Sequence, residues 1–339
     1  MGEGASPHMP VIGVIGAGSW ATALVKILSE GPVEIHWWMR SAEQAEQISS
    51  LGRNPKYLSD IDLEVGKIHP STSLVEVVER SSLIILALPA AFVAEALSAI
   101  PSSLLQTKTI FSAVKGMIPQ TDDVVTDYLH HTLGVPESGI GVIAGPCHSE
   151  EVALERQSYL TLSAFDEHRA AEMAHLLNCR YIHTHVIPND VRGIEYATVM
   201  KNIVALAVGI TRGMNYGDNF QAVLVANAMQ EIRLFLDKAV PATDRDVNAS
   251  AYLGDLLVTA YSQFSRNRVF GKMIGKGYTV KSAQLEMNMI AEGYFAVKSL
   301  MKQNETIGAD LPVCTFVYNI LYGQSSPGRE IRALEARLK

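Results

Sequence analysis

A glycine turn near the start of the chain constrains its fold more than any other feature. The segment GAGSWA, residues 16–21, follows a short β-rich run at Val11–Ile15 and opens a helical pattern at Ala21–Ser29. This is the G-x-G-x-x-A pattern in the strand–turn–helix context that favours dinucleotide binding. Gly16 permits the tight turn, and Gly18 lets the backbone approach a pyrophosphate. The N-terminus of the helix then offers unpaired N–H groups to the phosphates.

Short apolar runs alternate with helical patterns through the first half of the chain. Further strand-like runs are Val33–Met39, Leu83–Leu88, Thr109–Ala113, Gly141–Ala144 and Tyr159–Ser163. Short buried strands separated by helices are typical of βαβ units. We therefore predict an α/β fold in which the first half of the chain forms a mostly parallel sheet.

The second half of the chain changes character and is predicted to be helical. Its segments with helical spacing are Gly193–Thr211, Asn219–Ala239, Ser250–Gln263, Ala283–Gln303 and Pro312–Tyr322, and Gly and Pro stand mainly between them. We expect a domain boundary near residue 188. Residues 10–188 would form the dinucleotide-binding domain, and residues 189–339 a helical domain that carries the substrate and the catalytic groups.

Composition excludes several classes of protein. The net charge of −7 argues against a general affinity for nucleic acid or for an anionic membrane surface. The three cysteines have no metal-site spacing, and they favour a reducing compartment, here the cytoplasm. The paired histidines, His130 with His131 and His183 with His185, lack the third ligand of a catalytic metal site. No run reaches about 18 uninterrupted apolar residues, so no membrane span is expected.

The end of the second predicted strand bears on the choice of cofactor. An NAD-specific turn usually has an acidic residue about 20 positions on. This chain instead has Trp-Trp-Met-Arg-Ser, with Arg40 as its charged residue. Arg40 either points to solvent or lies against the adenosine and accepts a 2′-phosphate. We therefore expect NADP to be tolerated and to be a candidate for the preferred cofactor.

Several further motifs occur together in a fixed order. On these the chain resembles the bacterial NAD(P)-dependent glycerol-3-phosphate dehydrogenase family over essentially its whole length. The matching segments are Gly16–Ala23, Asn54–Leu58, Lys115-Gly116, Gly145–Ala153, Lys201–Ala205, Gly217–Asn219, Gly254–Leu256, Ser265–Gly271 and Glu292-Gly293.

The resemblance implies a fold and a reaction. The fold would be a Rossmann-type N-terminal domain followed by an all-helical C-terminal domain, commonly in a homodimer. The reaction would be the reversible reduction of dihydroxyacetone phosphate to sn-glycerol 3-phosphate by NAD(P)H, which supplies glycerophospholipid synthesis. Two alternatives stay open: a related two-domain dehydrogenase of a small hydroxy acid, and a cofactor sensor that has lost catalysis.

The resemblance also implies the site residues. Catalysis would fall to Lys201, Lys115 and Asp255. The cofactor would contact Gly16, Gly18, Ser19, Trp20, Arg40, Lys115, Ser149, Arg266, Ile290 and Glu292. The substrate would contact Lys115, Gly145, Cys147, Lys201, Asp255, Ser265, Arg266 and Asn267.

The residues alone leave several of these roles open. Lys201 lies in an apolar helical stretch, where it is either buried with a lowered pKa or reaches the surface. Lys115 is either a ligand group at the end of a strand or a surface turn residue. Asp255 either orients Lys201 or caps a helix. Around Arg266 the bare sequence favours a basic helix end, and Glu292 could lie on a solvated helix face.

The chain also departs from the family pattern. Cys147 replaces the usual serine after Gly-Pro, and His148 follows in place of an aromatic residue. Ala21 stands where the third glycine of the turn is common, and residues 212–216 replace a more acidic, glycine-rich run. We interpret Cys147 as a small residue that lines the substrate site, because hydride transfer needs no nucleophile.

Overall fold

Strands and helices alternate through the first half of the chain. The computed structural model describes residues 9–287 and 291–339. Its strands are β1 (Val11–Ile15), β2 (Glu34–Trp38), β3 (Ile68–Ser71), β4 (Leu83–Leu86), β5 (Thr109–Ser112), β6 (Met117–Ile118), β7 (Asp123–Val124), β8 (Ile140–Ala144), β9 (Ser158–Ala164) and β10 (Ile182–Val186). Its first helices are α1 (Ser19–Ser29), α2 (Ala42–Leu51), α3 (Leu74–Arg80), α4 (Val93–Ser98), α5 (Ser102–Leu105), α6 (Val125–Asp127), α7 (Ser149–Ala153) and α8 (Glu167–Leu177).

One eight-stranded sheet organises this half of the described chain. The strands lie in the order β10-β9-β8-β5-β4-β1-β2-β3, and neighbours run parallel except for β8 and β9. β1 lies between β2 and β4, with Ile12 paired to Ile35 on one side and to Leu83 on the other. The carboxyl ends of β1, β2, β4 and β5 therefore share one edge of the sheet, where open parallel sheets bind ligands. The predicted Rossmann-type, mostly parallel domain is confirmed.

Helices make up the rest of the described chain. They are α9 (Val191–Gly213), α10 (Asp218–Ala239), α11 (Asp255–Tyr261), α12 (Arg266–Gly275), α13 (Val280–Glu286), α14 (Glu292–Ile307), α15 (Pro312–Leu321) and α16 (Pro327–Glu335). The predicted helical C-terminal part is also confirmed. Its centre is α9, against which α10, α11, α12, α14 and α15 pack.

Helix α9 is apolar because it is the core of this bundle. By length and composition it could cross a membrane, but its most apolar 18-residue window is 100% buried inside the protein. Glycines allow α12 to pack very closely on it. A Cβ atom on Gly209 would lie 2.2 Å from the Arg268 carbonyl oxygen, and one on Gly271 would lie 2.3 Å from that of Leu206.

The structure differs from the sequence-based expectation in several places. β3 and β10 were not among the predicted strands, because their sequences, Ile-His-Pro-Ser and Ile-His-Thr-His-Val, are polar. Both are edge strands of the sheet, and the side chains of an edge strand need not be buried on both faces. The predicted single helix over Ala283–Gln303 is wrong, since α13 ends at Glu286 and α14 begins at Glu292. Met287 and Ala291 are extended and flank the break.

Candidate active site

The glycine turn has the geometry that its sequence predicts. Gly16 has a φ of +120°, a conformation that favours glycine, and a Cβ there would lie 2.3 Å from the Ala87 carbonyl oxygen. Gly18 is the N-cap of α1, and a Cβ added to it would meet no atom within 4 Å. Gly18, Ser19 and Trp20 also line a large cavity, so the first turn of α1 borders space that an anion could enter.

A cavity of about 830 Å³ extends from this turn to the helical domain. Its walls come from the carboxyl ends of the central strands and from α9, α11, α12 and α14. Thirteen of the predicted site residues line it: Gly16, Gly18, Ser19, Trp20, Arg40, Lys115, Cys147, Ser149, Lys201, Ser265, Arg266, Asn267 and Glu292. Gly145 and Asp255 do not line it, and Ile290 lies outside the described residues.

Two lysines meet one carboxylate at the end of the cavity formed by the helical domain. Lys201 on α9 is only 4% exposed, so it does not reach the surface, and its ammonium donates to Oδ1 of Asp255. Oδ2 of Asp255 lies 3.9 Å from Nζ of Lys115. Asp255 is 1% exposed and begins α11, which makes it a buried partner of Lys201 rather than the cap of that helix.

The surroundings of Lys201 change its proton affinity. Burial, the largest cause, acts with the charge of Lys115 to lower the pKa of Lys201 to about 7, against the opposing effect of Asp255. Lys115 is held in turn above the Trp20 ring, with Nζ 5.4 Å from the ring centroid. A lysine that is half protonated near neutral pH can either give or take a proton, which suits it to acid–base chemistry.

In the Ser265–Arg268 cluster, some side chains stabilise the local backbone and Arg266 is available to a ligand. Ser265 caps α12 by accepting from the backbone N–H of Arg268 at 3.4 Å. The guanidinium of Arg268 donates to the carbonyl oxygens of Tyr261 and Ser262, at 2.9 and 3.1 Å. Arg266 lines the cavity instead, so it is the arginine of this cluster that can contact a ligand phosphate.

Glu292 lies at the break between α13 and α14 and faces the cavity. Its Oε1 accepts from the backbone N–H of Ala90 at 3.2 Å. Burial raises the pKa of Glu292 to about 7, although the charge of Arg266 opposes the shift. Asn267 accepts from the backbone N–H of Gly293 at 2.9 Å, which ties α12 to the first turn of α14. The solvated helix face considered for Glu292 is therefore not what the structure shows.

The Gly145–Ser149 segment forms the wall next to the lysines. Gly145 has a φ of +118°, and a Cβ there would lie 2.6 Å from the Tyr159 carbonyl oxygen, so this glycine shapes the turn. The thiol of Cys147 donates to the same carbonyl at 3.2 Å. Burial raises the pKa of the Cys147 thiol to about 12. The thiol is thus uncharged at neutral pH, which agrees with a lining residue rather than a nucleophile.

The residues of the turn region fit a dinucleotide. The Trp20 indole nitrogen is buried and finds no hydrogen-bond partner within residues 9–287 and 291–339. Arg40, beyond the end of β2, is exposed at the far end of the cavity, with Cζ 5.0 Å from the centroid of the Phe92 ring. Open space at Gly18, a helix N-terminus that borders the cavity and a cation beyond β2 are the features that a pyrophosphate and an adenosine need.

Comparison with known proteins agrees with this geometry. Two family models match, described as the N-terminus and the C-terminus of NAD-dependent glycerol-3-phosphate dehydrogenase, over residues 11–170 and 190–332. An NAD(P)+ glycerol-3-phosphate dehydrogenase from Exiguobacterium is 32% identical over 97% of this chain and 96% of its own length. One from Salinibacter ruber is 34% identical over 96% of this chain and 94% of its own. The chain belongs to the NAD(P)-dependent glycerol-3-phosphate dehydrogenase family.

The fold of the chain is also that of this dehydrogenase family. The crystal structure of glycerol-3-phosphate dehydrogenase from Coxiella burnetii superposes with a TM-score of 0.89 and covers 97% of this chain and 99% of its own. Its sequence identity is 24%, so this likeness speaks for the fold alone.

Asn202, Thr259 and His148 line the cavity although they were not among the predicted site residues. Asn202 follows Lys201 and donates to the Lys115 carbonyl oxygen at 2.7 Å, so it holds the backbone of the second lysine. The adjacent sequence Lys-Asn was a usable signal for it. Thr259 lies one turn after Asp255 on α11. His148 was noted only as a departure from the family pattern, yet its ring lines the cavity beside Phe264.

Proposed function

We propose that this dehydrogenase catalyses the reversible reduction of dihydroxyacetone phosphate to sn-glycerol 3-phosphate. The observation that carries the proposal is the meeting of Lys201, Asp255 and Lys115 at one end of a cavity whose other end is the glycine turn. When bound, reduced nicotinamide supplies the hydride for the carbonyl carbon. The relatives that are named NAD(P)+ glycerol-3-phosphate dehydrogenases support the choice of substrate.

Lys201 gives the proton that a reduced ketone needs. As hydride reaches the carbonyl carbon, negative charge grows on the carbonyl oxygen, and the ammonium of Lys201 protonates it. In the reverse direction, neutral Lys201 takes the proton from the alcohol. Asp255 holds the Nζ atom in one orientation, and Lys115 polarises the carbonyl or binds the phosphate. Arg266 and Asn267 bind the phosphate, next to the capping Ser265.

The cofactor lies along the remaining wall in this proposal. Gly16, Gly18, Ser19 and Trp20 bind the pyrophosphate region, and Arg40 the adenosine. Nearer the reacting atoms, the cofactor contacts Lys115, Ser149, Arg266 and Glu292. The family resemblance adds Ile290 to these contacts. The boundary between residues 188 and 189, the homodimer, the cytoplasmic location and the supply of glycerophospholipid synthesis belong to the same proposal.

A single assay tests the reaction. Purified protein is mixed with dihydroxyacetone phosphate and either NADPH or NADH, and loss of the reduced cofactor is followed by absorbance. We expect rapid loss with dihydroxyacetone phosphate and at least about 10²-fold slower loss with unphosphorylated dihydroxyacetone, because the charged contacts to phosphate would be missing. A protein that binds either cofactor but does not consume it would refute the proposal in favour of a sensor. Turnover of a 2-keto acid alone would favour the hydroxy-acid dehydrogenase.

The pH dependence should differ between the two directions. Reduction needs protonated Lys201, so kcat for reduction should reach its maximum below about pH 7 and fall as the pH rises through that value. Oxidation of glycerol 3-phosphate needs neutral Lys201 and should rise over the same range. Glu292 also has a pKa of about 7, so both profiles are repeated with Glu292→Gln. Profiles that keep opposite slopes in this variant support Lys201; slopes that vanish with Glu292 contradict the assignment.

Arg40 should set the preference for the phosphorylated cofactor. Replacing Arg40 with alanine removes a charge-assisted contact to a 2′-phosphate, and we expect the KM for NADPH to rise about 10-fold or more. The KM for NADH should stay within about twofold. Arg53→Ala is the matched control, since Arg53 is an exposed arginine paired with Asp62 and does not line the cavity. Equal increases for both cofactors would mean that Arg40 does not contact the 2′ position.

A further inference from the structure

A buried carboxylate on α9 has no task in the reaction above. Glu195 is 2% exposed, and its Oε1 accepts from the hydroxyl group of Ser112 at 3.3 Å. Its Oε2 accepts from the backbone N–H of Thr126 at 3.2 Å and from the Thr126 hydroxyl group. Burial of a carboxylate costs free energy, and an apolar residue would fill the same space without that cost. Glu195 therefore indicates a task that an apolar residue cannot perform.

The partners of Glu195 lie on both sides of Lys115 in the chain. Ser112 ends β5, shortly before Lys115, and its hydroxyl group also accepts from the backbone N–H of Val114 at 3.4 Å. Thr126 lies on α6, after the β6–β7 hairpin that follows Lys115. One carboxylate thus holds the two ends of the segment 112–126, which carries the second lysine of the site.

The same face of α9 holds this segment at a further point. Asn202 lies two helical turns after Glu195, about 10 Å along the helix, and donates to the Lys115 carbonyl oxygen at 2.7 Å. Lys201 directly precedes Asn202, so one helix carries the proton donor and the anchors of the other lysine. We propose that Glu195 is a positioning residue, which fixes the segment 112–126 against α9 and so sets the distance between Lys115 and Lys201. The inference rests on the proposed function.

This distance affects two quantities that kinetics can measure. The charge of Lys115 acts with burial to lower the pKa of Lys201, while Asp255 opposes the shift. Lys115 also polarises the carbonyl or binds the phosphate in the proposed reaction. If the segment moves away from α9, the pKa of Lys201 should rise above about 7 and the KM for dihydroxyacetone phosphate should increase. A loss of stability alone would change neither quantity.

Glu195→Met tests the inference, because methionine fills the space but accepts hydrogen bonds only weakly. We expect the KM for dihydroxyacetone phosphate to rise about 10-fold. The pH at which reduction declines should move up by about half a unit or more, opposite in direction to the effect of losing the Asp255 charge. Asn202 keeps its bond to Lys115, so the segment is loosened rather than released.

Glu195→Gln separates position from charge. Burial raises the pKa of Glu195 to about 7, although the hydrogen bonds from Thr126 and Ser112 oppose the shift, so this group titrates in the range of the measurement. Glutamine removes that titration but keeps the contacts, since its amide oxygen can accept from Thr126 and its amide nitrogen can donate to Ser112. KM and the pH profile should stay close to the wild type. A shift as large as that of Glu195→Met would overturn the inference.

Glu231→Met is the matched control. Glu231 on α10 is 3% exposed, does not line the cavity, and accepts from the backbone N–H groups of Val313 and Cys314 at 2.7 and 2.9 Å. The same substitution there should lower the free energy of unfolding comparably, measured by urea denaturation, without changing KM or the pH profile. Equal kinetic changes in Glu231→Met and Glu195→Met would overturn the inference, because they would reflect a loosened fold.

Ser112→Ala repeats the test with a smaller change, in case Glu195→Met does not fold. It removes the link to Glu195 before Lys115 and leaves the bonds to Thr126, so KM should rise about threefold. In the Glu195→Met background it should add little, because the two side chains act as one unit. Wild-type KM and pH profile in the folded variants would overturn the inference and leave the proposed function intact. A wild type inactive on dihydroxyacetone phosphate would overturn both.

Discussion

Replacing Lys201 with methionine is expected to lower kcat for dihydroxyacetone phosphate reduction by about 10³-fold, because the reaction loses its proton donor. Methionine has a similar length and fits a buried position, so the helix should keep its packing. Affinity for NADPH should stay within about twofold, since the glycine turn and Arg40 lie at the other end of the cavity. Steady-state kinetics and a fluorescence titration with NADPH measure the two effects.

Lys108→Met is the matched control for this substitution. Lys108 precedes β5 and donates to the Glu79 carbonyl oxygen at 3.2 Å, while Lys115 and the cavity lie beyond the carboxyl end of the same strand. The same chemical change at the opposite end of the strand should leave kcat within about twofold. Turnover by Lys201→Met near the wild-type rate would remove Lys201 from the mechanism, whatever its position in the cavity.

The fold could be predicted where local signals agree with tertiary packing. The turn at Gly16 combines a strand, a positive φ and a helix start within a few residues, so its sequence pattern is sufficient to predict the local fold. Helix α9 is predicted within two residues at each end because its sequence is apolar and periodic. β3 and β10 could not be predicted in this way, because edge strands tolerate His, Pro and Thr and so lack a continuous apolar run. The break before Glu292 could not be predicted either, because the helical spacing of apolar residues in the sequence continues across it.

The site required contacts between distant segments. Asp255 stands 54 residues after Lys201, and no local pattern reveals that its carboxylate is bonded to that ammonium. The bare sequence therefore left Lys201 between a buried and a surface position, and the family resemblance supplied the preference.

Asp255→Asn should change both stability and pH dependence. Asparagine keeps the shape of the side chain but removes the charge that raises the pKa of Lys201, so this pKa should fall below about 7. The pH at which reduction declines should then move down by about one unit or more, and kcat for reduction at neutral pH should fall at least about fivefold, because less of Lys201 is protonated. Loss of one partner of a buried ion pair should also lower the free energy of unfolding by about 3–5 kcal/mol.

Asp190→Asn separates these two effects. Asp190 forms a second buried ion pair, with Arg245 at 2.6 Å, and neither residue lines the cavity. This variant should lose a comparable free energy of unfolding, measured by urea denaturation, because the arginine stays charged and loses its partner. Its pH profile for reduction should nevertheless match the wild type. If Asp190→Asn moves the profile as far as Asp255→Asn does, the shift reflects a loosened fold, and Asp255 does not tune the proton affinity of Lys201.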